Sequence, residues 1–289
     1  MAVVLITGCS SGFGKLAAVE LAANGHSVFA TMRDINGKNR EVANELRANP
    51  MIKVVELDVT SDDSVNRAVE QVVAESPLDV VIHNAGIGVN GVTEGSTTEQ
   101  FSHVMDVNLI GVHRLNRAIL PQLRSRKTGL LIYVSSGLGR TVLPYLSSYC
   151  ASKFALEAYA ESLAYEVTTH GIDTVILQPG AYPSNFRANI LDPDDPSRLA
   201  DYPIEQAEAL ANHEETRNYL ASEAAPDPRE VTNAMLSVID MPTGERPFRI
   251  AMRKNSGGLK MINQICGEVQ GAFLRGMRLE HRLPKRPQL

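Results

Sequence analysis

The chain has 289 residues, 44% hydrophobic and 21% charged, with a formal net charge of −5, three cysteines and no tryptophan. These values fit a globular chain of one large α/β domain or two small ones, big enough to bury a core without staples. They argue against a nucleic-acid partner, because the chain is acidic and only 5% aromatic.

The first two-thirds alternates short β-branched runs with longer amphipathic ones. Residues 2–7 (AVVLIT) read as a parallel strand buried on both faces. A helix over 12–24 follows, closed by Gly25. Strands are expected at 27–32, 52–59 and 79–86, with a helix over 61–75 between the last two. A long helix over 98–124 leads to a strand at 129–136, a helix over 148–169 to a strand at 173–180, and a last strand falls at 247–252. The stretch 181–225 is broken by prolines and rich in aspartate. It reads as an elaborated loop with helices, and DPREVTNAMLSVI after it as a capped helix. Strand–helix alternation needs crossovers, and right-handed crossovers put helices on both faces of a parallel sheet. The expected fold is therefore a doubly wound α/β sheet of about seven strands, with its ligand at the carboxyl ends. Residues 1–252 are expected to form one such domain, with 253–289 as a basic helical tail.

TGCSSGFGKLA (7–17) decides between two phosphate loops. A triphosphate loop needs GxxxxGK followed by Ser or Thr, but Cys9 and Leu16 occupy the first-glycine and hydroxyl positions. The dinucleotide pattern fits. Gly8 lets the chain turn off the strand, Gly12 lets the backbone approach a pyrophosphate, and Gly14 lets helix and strand pack closely. The second strand ends at Met32, and Arg33 follows before Asp34. An arginine at this point suits a 2′-phosphate, so NADP(H) is expected over NAD(H). The alternative is an ordinary surface Arg–Asp pair.

Tyr149 and Lys153 stand four apart near the start of a helix, hence on one face. A tyrosine has an ordinary pKa of about 10 and is a poor base at neutral pH. A neighbouring ammonium, a cationic ring and the helix dipole would favour its phenolate. Ser135 and Ser136 end the fifth strand, Asn84-Ala85-Gly86 leave the fourth, and Asp58 ends the third. Asn108 lies among apolar residues inside a helix, where an amide is costly unless partnered.

Together T7-GCSSGFG14, Asp58, N84-AG86, Asn108, Ser135, Y149-CASK153 and P179-G180 resemble the short-chain dehydrogenase/reductase family over 3–180, with a looser match to 252. The resemblance implies a Rossmann-like fold and a nicotinamide-linked oxidoreductase of small alcohols or ketones. Tyr149 would exchange a proton with the substrate oxygen, and Lys153 would hold the nicotinamide ribose. Ser135 would hold the substrate oxygen, and Asn108 would anchor a relay water. Gly8, Ser10, Ser11, Gly12, Phe13, Gly14, Arg33, Asp58, Val59, Asn84, Ala85, Gly86, Pro179, Gly180 and Ser184 would surround the cofactor. Ser184 stands where the family often has threonine. Tyr182 and Pro183 depart from its pattern. ATMRD (30–34) and YCASKFALE (149–157) are most similar to members that act on steroids or retinoids, and a homodimer or homotetramer is implied.

A dinucleotide sensor without catalysis is the rival reading, and the presence of Asn108, Ser135, Tyr149 and Lys153 together argues against it. The DPDD run (192–195) lacks the rest of a calcium loop, and the histidines form no zinc motif, so no metal is expected. Cys9, Cys150 and Cys266 make no CxxC and no even framework, which fits the cytoplasm. No stretch is long and apolar enough to span a membrane, and the N-terminal run lacks the features of a signal peptide. The tail carries eight Lys/Arg against two Asp/Glu, with apolar residues at near-helical spacing over 257–283. It is expected to pack on its own domain or a second subunit; a membrane surface is the alternative.

Overall fold

The computed structural model describes residues 1–252 and 257–284. From the N-terminus, β1 (Val3–Ile6), α1 (Gly12–Ala23), β2 (Ser27–Met32), α2 (Arg40–Arg47), β3 (Ile52–Glu56), α3 (Asp62–Glu75) and β4 (Val80–His83) form the first half. Then come α4 (Thr98–Met105), α5 (Gly111–Arg126), β5 (Gly129–Val134), α6 (Ser147–Val167) and β6 (Ile172–Pro179). The last elements are α7 (Pro196–Leu199), α8 (Pro203–Leu220), α9 (Arg229–Asp240), β7 (Arg249–Met252) and α10 (Gly257–Gly276). The strands make one parallel sheet in the order β3-β2-β1-β4-β5-β6-β7. This is the expected doubly wound sheet, and its order reverses direction between β1 and β4.

The pleat divides the core. Val4, Ile6, Val28, Ala30, Ile82 and Ile132 face α1, α2 and α9. Their alternates Leu5, Phe29, Val81, Leu131, Tyr133 and Ile176 face α3, α5 and α6. Both faces are apolar, which is why these strands read as continuous hydrophobic runs. The carboxyl ends of β1 and β4 then diverge toward opposite helical layers and open a crevice.

Three local expectations change. Helix α2 was not legible: it is eight residues long and buries only Ala43 and Leu46, too little for a periodic signal. The long helix over 98–124 is interrupted by a π turn at Asp106–Ile110, centred on the buried Asn108. Helix α9 has Pro228 at its cap position, and the Asp227 carboxylate accepts the Arg229 N–H at 2.8 Å instead. Stretch 181–225 is, as expected, a loop carrying helices, α7 and α8. The DPDD run is structural: Asp195 caps α7 by accepting from the Ser197 and Arg198 N–H groups. Cys9, Cys150 and Cys266 are all free.

Candidate active site

The expected site residues all lie along the carboxyl edge of the sheet. In order across it stand Asp58 and Val59 after β3, Arg33 after β2 and the glycine loop after β1. Asn84 to Gly86 follow β4, Ser135 follows β5, and Pro179, Gly180 and Ser184 end and follow β6.

The glycine loop is shaped by contacts only glycine tolerates. Gly8 and Gly12 have φ of +73° and +56°. A Cβ on Gly8 would come within 2.9 Å of the Ala85 Cα, and one on Gly14 would collide with the Gly8 carbonyl oxygen and the Asn84 amide. Ser11, the cap residue of α1, makes no side-chain cap bond, and the first turn holds no acidic residue. The N-terminal N–H groups of α1 therefore favour an anion in front of them. Ser184 faces this loop, its Cβ 3.5 Å from where a Cβ on Gly12 would lie. Phe13 meets the Tyr182 ring edge-on at 5.8 Å, and the Tyr182 hydroxyl donates to Glu230 at 2.9 Å.

Asn84 braces the loop. Its amide donates to the Thr7 and Gly8 carbonyls at 2.9 and 3.2 Å, and the Asn84 and Ala85 N–H groups donate to the Thr7 hydroxyl at 3.0 Å each. The role of Thr7 was missed in the sequence; a hydroxyl ending an otherwise apolar strand was the available signal. Asp58 is turned onto its own loop, accepting from the Thr60 N–H and hydroxyl. Asp34, in a left-handed conformation at φ +50°, accepts the Lys38 N–H at 2.8 Å. Its carboxylate thus serves the turn. Arg33 is exposed and forms no ion pair among the described residues, with Lys38 and Arg40 exposed beside it in sequence.

Helix α6 carries Tyr149 and, one turn on, Lys153. The Lys153 ammonium is buried, donates to the Val134 carbonyl at 2.9 Å and lies 5.6 Å from the Tyr149 ring centre. Burial depresses the Lys153 pKa to about 8, against an opposing pull from Glu157. Burial of the phenol pushes Tyr149 up to about 12, while the Ser136 hydroxyl and the charge of Arg187 act downward. The phenol is therefore protonated at neutral pH, in keeping with the expectation that an ammonium alone rarely makes a phenolate.

Asn108 is fully engaged. Its Oδ1 accepts the Ile87 N–H, and its Nδ2 donates to the Ile87 carbonyl and to Ser152 Oγ, each at 2.9 Å. Ser152 Oγ in turn donates to the Tyr149 carbonyl at 2.8 Å. The amide thus clamps the β4 exit loop to the turn of α6 that bears Tyr149, as a buried amide requires.

The two serines after β5 divide differently from the sequence expectation. Ser136 is the hydroxyl that acts on the Tyr149 phenol, favouring its ionised form against burial, and it accepts the Leu138 N–H at 3.0 Å. Ser135 Oγ is buried with no hydrogen-bond partner among the described residues. It points at the 137–139 turn, where a Cβ on Gly139 would lie 2.8 Å from it. An extended chain sends successive side chains to opposite sides, so only one of the pair can face the tyrosine. Phe186 packs on the Tyr149 ring at 5.2 Å, and Arg187 follows it. Both were missed, because an irregular loop gives no periodic signal.

A family model described as short chain dehydrogenase matches residues 2–195 of this chain. The chain belongs to the short chain dehydrogenase family. A 3-ketodihydrosphingosine reductase of Bacteroides thetaiotaomicron is 40% identical over 188 residues, 65% of this chain and 66% of that protein, slightly under two-thirds of its length. Human 17-beta-hydroxysteroid dehydrogenase type 1 is 34% identical over 247 residues, 83% of this chain and 74% of that one. The crystal structure of a short-chain dehydrogenase from Streptomyces avermitilis superposes with a TM-score of 0.76 at 26% identity, covering 96% of this chain and 98% of that one. This short chain dehydrogenase is an NAD(P)-dependent oxidoreductase acting on CH–OH groups and the corresponding carbonyls. Among its described residues no group of three or more His, Cys, Asp and Glu is placed to hold a metal, and no helix is long and apolar enough to cross a membrane.

Proposed function

We propose that this short chain dehydrogenase interconverts a secondary alcohol and a ketone with NADP(H), and that Tyr149 is its acid/base. The observation that carries the reading is the convergence of Tyr149, Lys153 and Ser136 at the sheet edge that also bears a glycine loop in which a Cβ on Gly8 or Gly14 would clash. The open N–H groups of α1, with Gly8, Ser10, Ser11, Gly12, Phe13 and Gly14, fit a pyrophosphate. Asp58, Val59, Ala85, Gly86, Pro179, Gly180 and Ser184 complete the lining. Arg33, without an acidic partner among the described residues, fits a 2′-phosphate, which supports NADP(H) over NAD(H).

When bound, the nicotinamide donates or accepts the hydride. Everything else falls to side chains. In reduction, the protonated Tyr149 gives its proton to the carbonyl oxygen as negative charge develops there. Ser136, whose hydroxyl acts on the same phenol, is the serine that would hold the substrate oxygen, in place of Ser135. Lys153 lends positive charge below Tyr149 and favours the phenolate left behind. Asn108 positions the tyrosine helix through its side-chain amide, both hydrogens of which are engaged within the protein, so a relay water would be held by its oxygen atoms.

A large apolar alcohol or ketone, of hydroxysteroid or retinoid dimensions, is the proposed substrate class. The two named relatives point the same way, one a ketosphingoid reductase and one a hydroxysteroid dehydrogenase. The test is NADPH consumption over a panel of apolar ketones. Turnover of at least one, faster than with NADH, supports the reading. Cofactor binding with no turnover across the panel would favour the dinucleotide sensor.

A further inference from the structure

The loop after β6 is tied across the exit of β4. The Leu191 N–H donates to the Gly88 carbonyl and the Asn90 N–H to the Leu191 carbonyl, each at 2.9 Å. Between them a short turn at Arg187–Asn189 is closed by the Asn189 N–H on the Asn185 and Phe186 carbonyls at 3.0 and 3.1 Å. Gly88 is the meeting point. A Cβ there would stand 3.3 Å from Tyr149 Cδ2, 3.4 Å from Phe186 Cζ and 3.5 Å from Ile190 Cγ1. Phe186 and Ile190 thus present apolar surface beside the phenol.

Arg187 is the exception in this apolar surround. It is partly buried, and its guanidinium forms no hydrogen bond or ion pair among the described residues. Burial pulls its pKa below the ordinary value, and the group that acts against burial is Tyr149. Arg114, Arg140, Arg246 and Arg249 are also withdrawn from water, and each holds a carboxylate within 3.3 Å. Tyr149 is no such partner at rest, because its phenol is protonated at neutral pH. A cation drawn out of water without a countercharge is costly, so an anion that joins it there is favoured. Ser184 faces Gly12, but by Phe186 the chain has reached the Tyr149 ring. The guanidinium that follows therefore stands by the proton donor and not before the N–H groups of α1. Its planar fork of donors fits a carboxylate through two parallel bonds.

We infer that Arg187 is a specificity-determining residue whose guanidinium binds a carboxylate carried by the substrate near its reacting carbonyl, with the apolar remainder of the substrate against Phe186 and Ile190. The favoured substrates are then apolar keto acids and the corresponding hydroxy acids. This inference rests on the proposed function, in which the reacting oxygen sits at Tyr149.

The experiment follows NADPH oxidation with straight-chain keto acids, α to δ, each beside its methyl ester. The wild type is expected to favour at least one acid over its ester by ~10–100-fold in kcat/KM, mostly through KM, the worth of one charge-assisted pair. Arg187→Met should bring that ratio near unity, and Arg187→Lys should recover part of it. Because a ratio is read, any effect on Tyr149 common to acid and ester cancels. A wild type indifferent to the carboxylate overturns the inference. So does an Arg187→Met variant that loses acid and ester turnover equally, which would assign the charge to the phenolate. Loss of NADPH affinity in that variant with the acid preference intact overturns it too, and would assign the charge to the cofactor. Calorimetric titration of the same pairs into the full chain with NADP+ bound separates this inference from the reaction it rests on. Tighter binding of acid than ester, lost in Arg187→Met, upholds it even where no ketone is reduced, and equal binding sinks it.

Discussion

Substitution of the two serines after β5 separates the geometric reading from the sequence one. Ser136→Ala removes the hydroxyl that acts on the Tyr149 phenol. The phenol, already at about 12, stays protonated, so the lost element is positioning and a donor to the developing alkoxide. Removing one such preorganised donor costs ~10²–10³ in kcat, or about 3–4 kcal/mol of transition-state stabilisation. The variant also loses the bond from the Leu138 N–H, worth about 1 kcal/mol of stability. Ser135→Ala removes a buried oxygen that has no partner among the described residues. Its kcat/KM should stay within a few-fold of wild type, and its stability should hold or rise by about 1 kcal/mol. Steady-state NADPH oxidation with a turned-over ketone, alongside urea unfolding, reads both, and Ser136→Thr should recover part of the rate. If Ser135→Ala is the crippled variant and Ser136→Ala is not, the side-chain directions argued above are wrong.

Arg33→Ala should weaken NADP(H) binding by ~10–100-fold and leave NAD(H) nearly untouched, the worth of one charge-assisted phosphate contact; equal losses for both, by fluorescence titration, would remove Arg33 from cofactor choice. The Lys153 ammonium, held at about 8 by burial, is lost in the folded protein as pH rises through that value, while the unfolded chain keeps it to 10.5. The unfolded state therefore binds more protons between those values, so stability from this group is lowest below pH 8 and grows across the window. Reductive kcat/KM should move the opposite way and fall above pH 8; a flat profile to pH 10 contradicts the role given to this charge. Arg249→Met breaks buried bonds to Glu157 at 2.9 Å and Glu161 at 2.5 Å and leaves Glu157, 1% exposed, short of charge. A stability loss of about 3–5 kcal/mol is expected from urea unfolding, and a loss under 1 kcal/mol would mean Arg140, at 3.5 Å, carries the pair alone.

What the sequence made legible was what repeats or is locally unusual. Alternating apolar runs gave all seven strands, because a sheet covered on both faces leaves few polar positions to confuse the pattern. The glycines at 8, 12 and 14 were legible because close backbone approach and left-handed φ demand that residue. Asn108 stood out as an amide among apolar residues, but not the π turn around it, which has no residue signature. Adjacent serines could not be told apart, since their difference is one of direction, set by how Ser136 turns toward α6. Phe186 and Arg187 reach Tyr149 from a loop whose path depends on tertiary contacts alone. The apolar spacing of the tail was visible in the sequence; which of its faces would be covered was not, because that depends on the Asn263–Gln178 contact.

The central claim is that Tyr149 moves the proton. Tyr149→Phe keeps the ring packed on Phe186 and removes only the hydroxyl. Single-turnover reduction of a ketone with bound NADPH should slow by ~10³-fold or more, within the range of general acid catalysis, while the NADPH dissociation constant changes only a few-fold. Near-normal reduction by Tyr149→Phe would contradict the account.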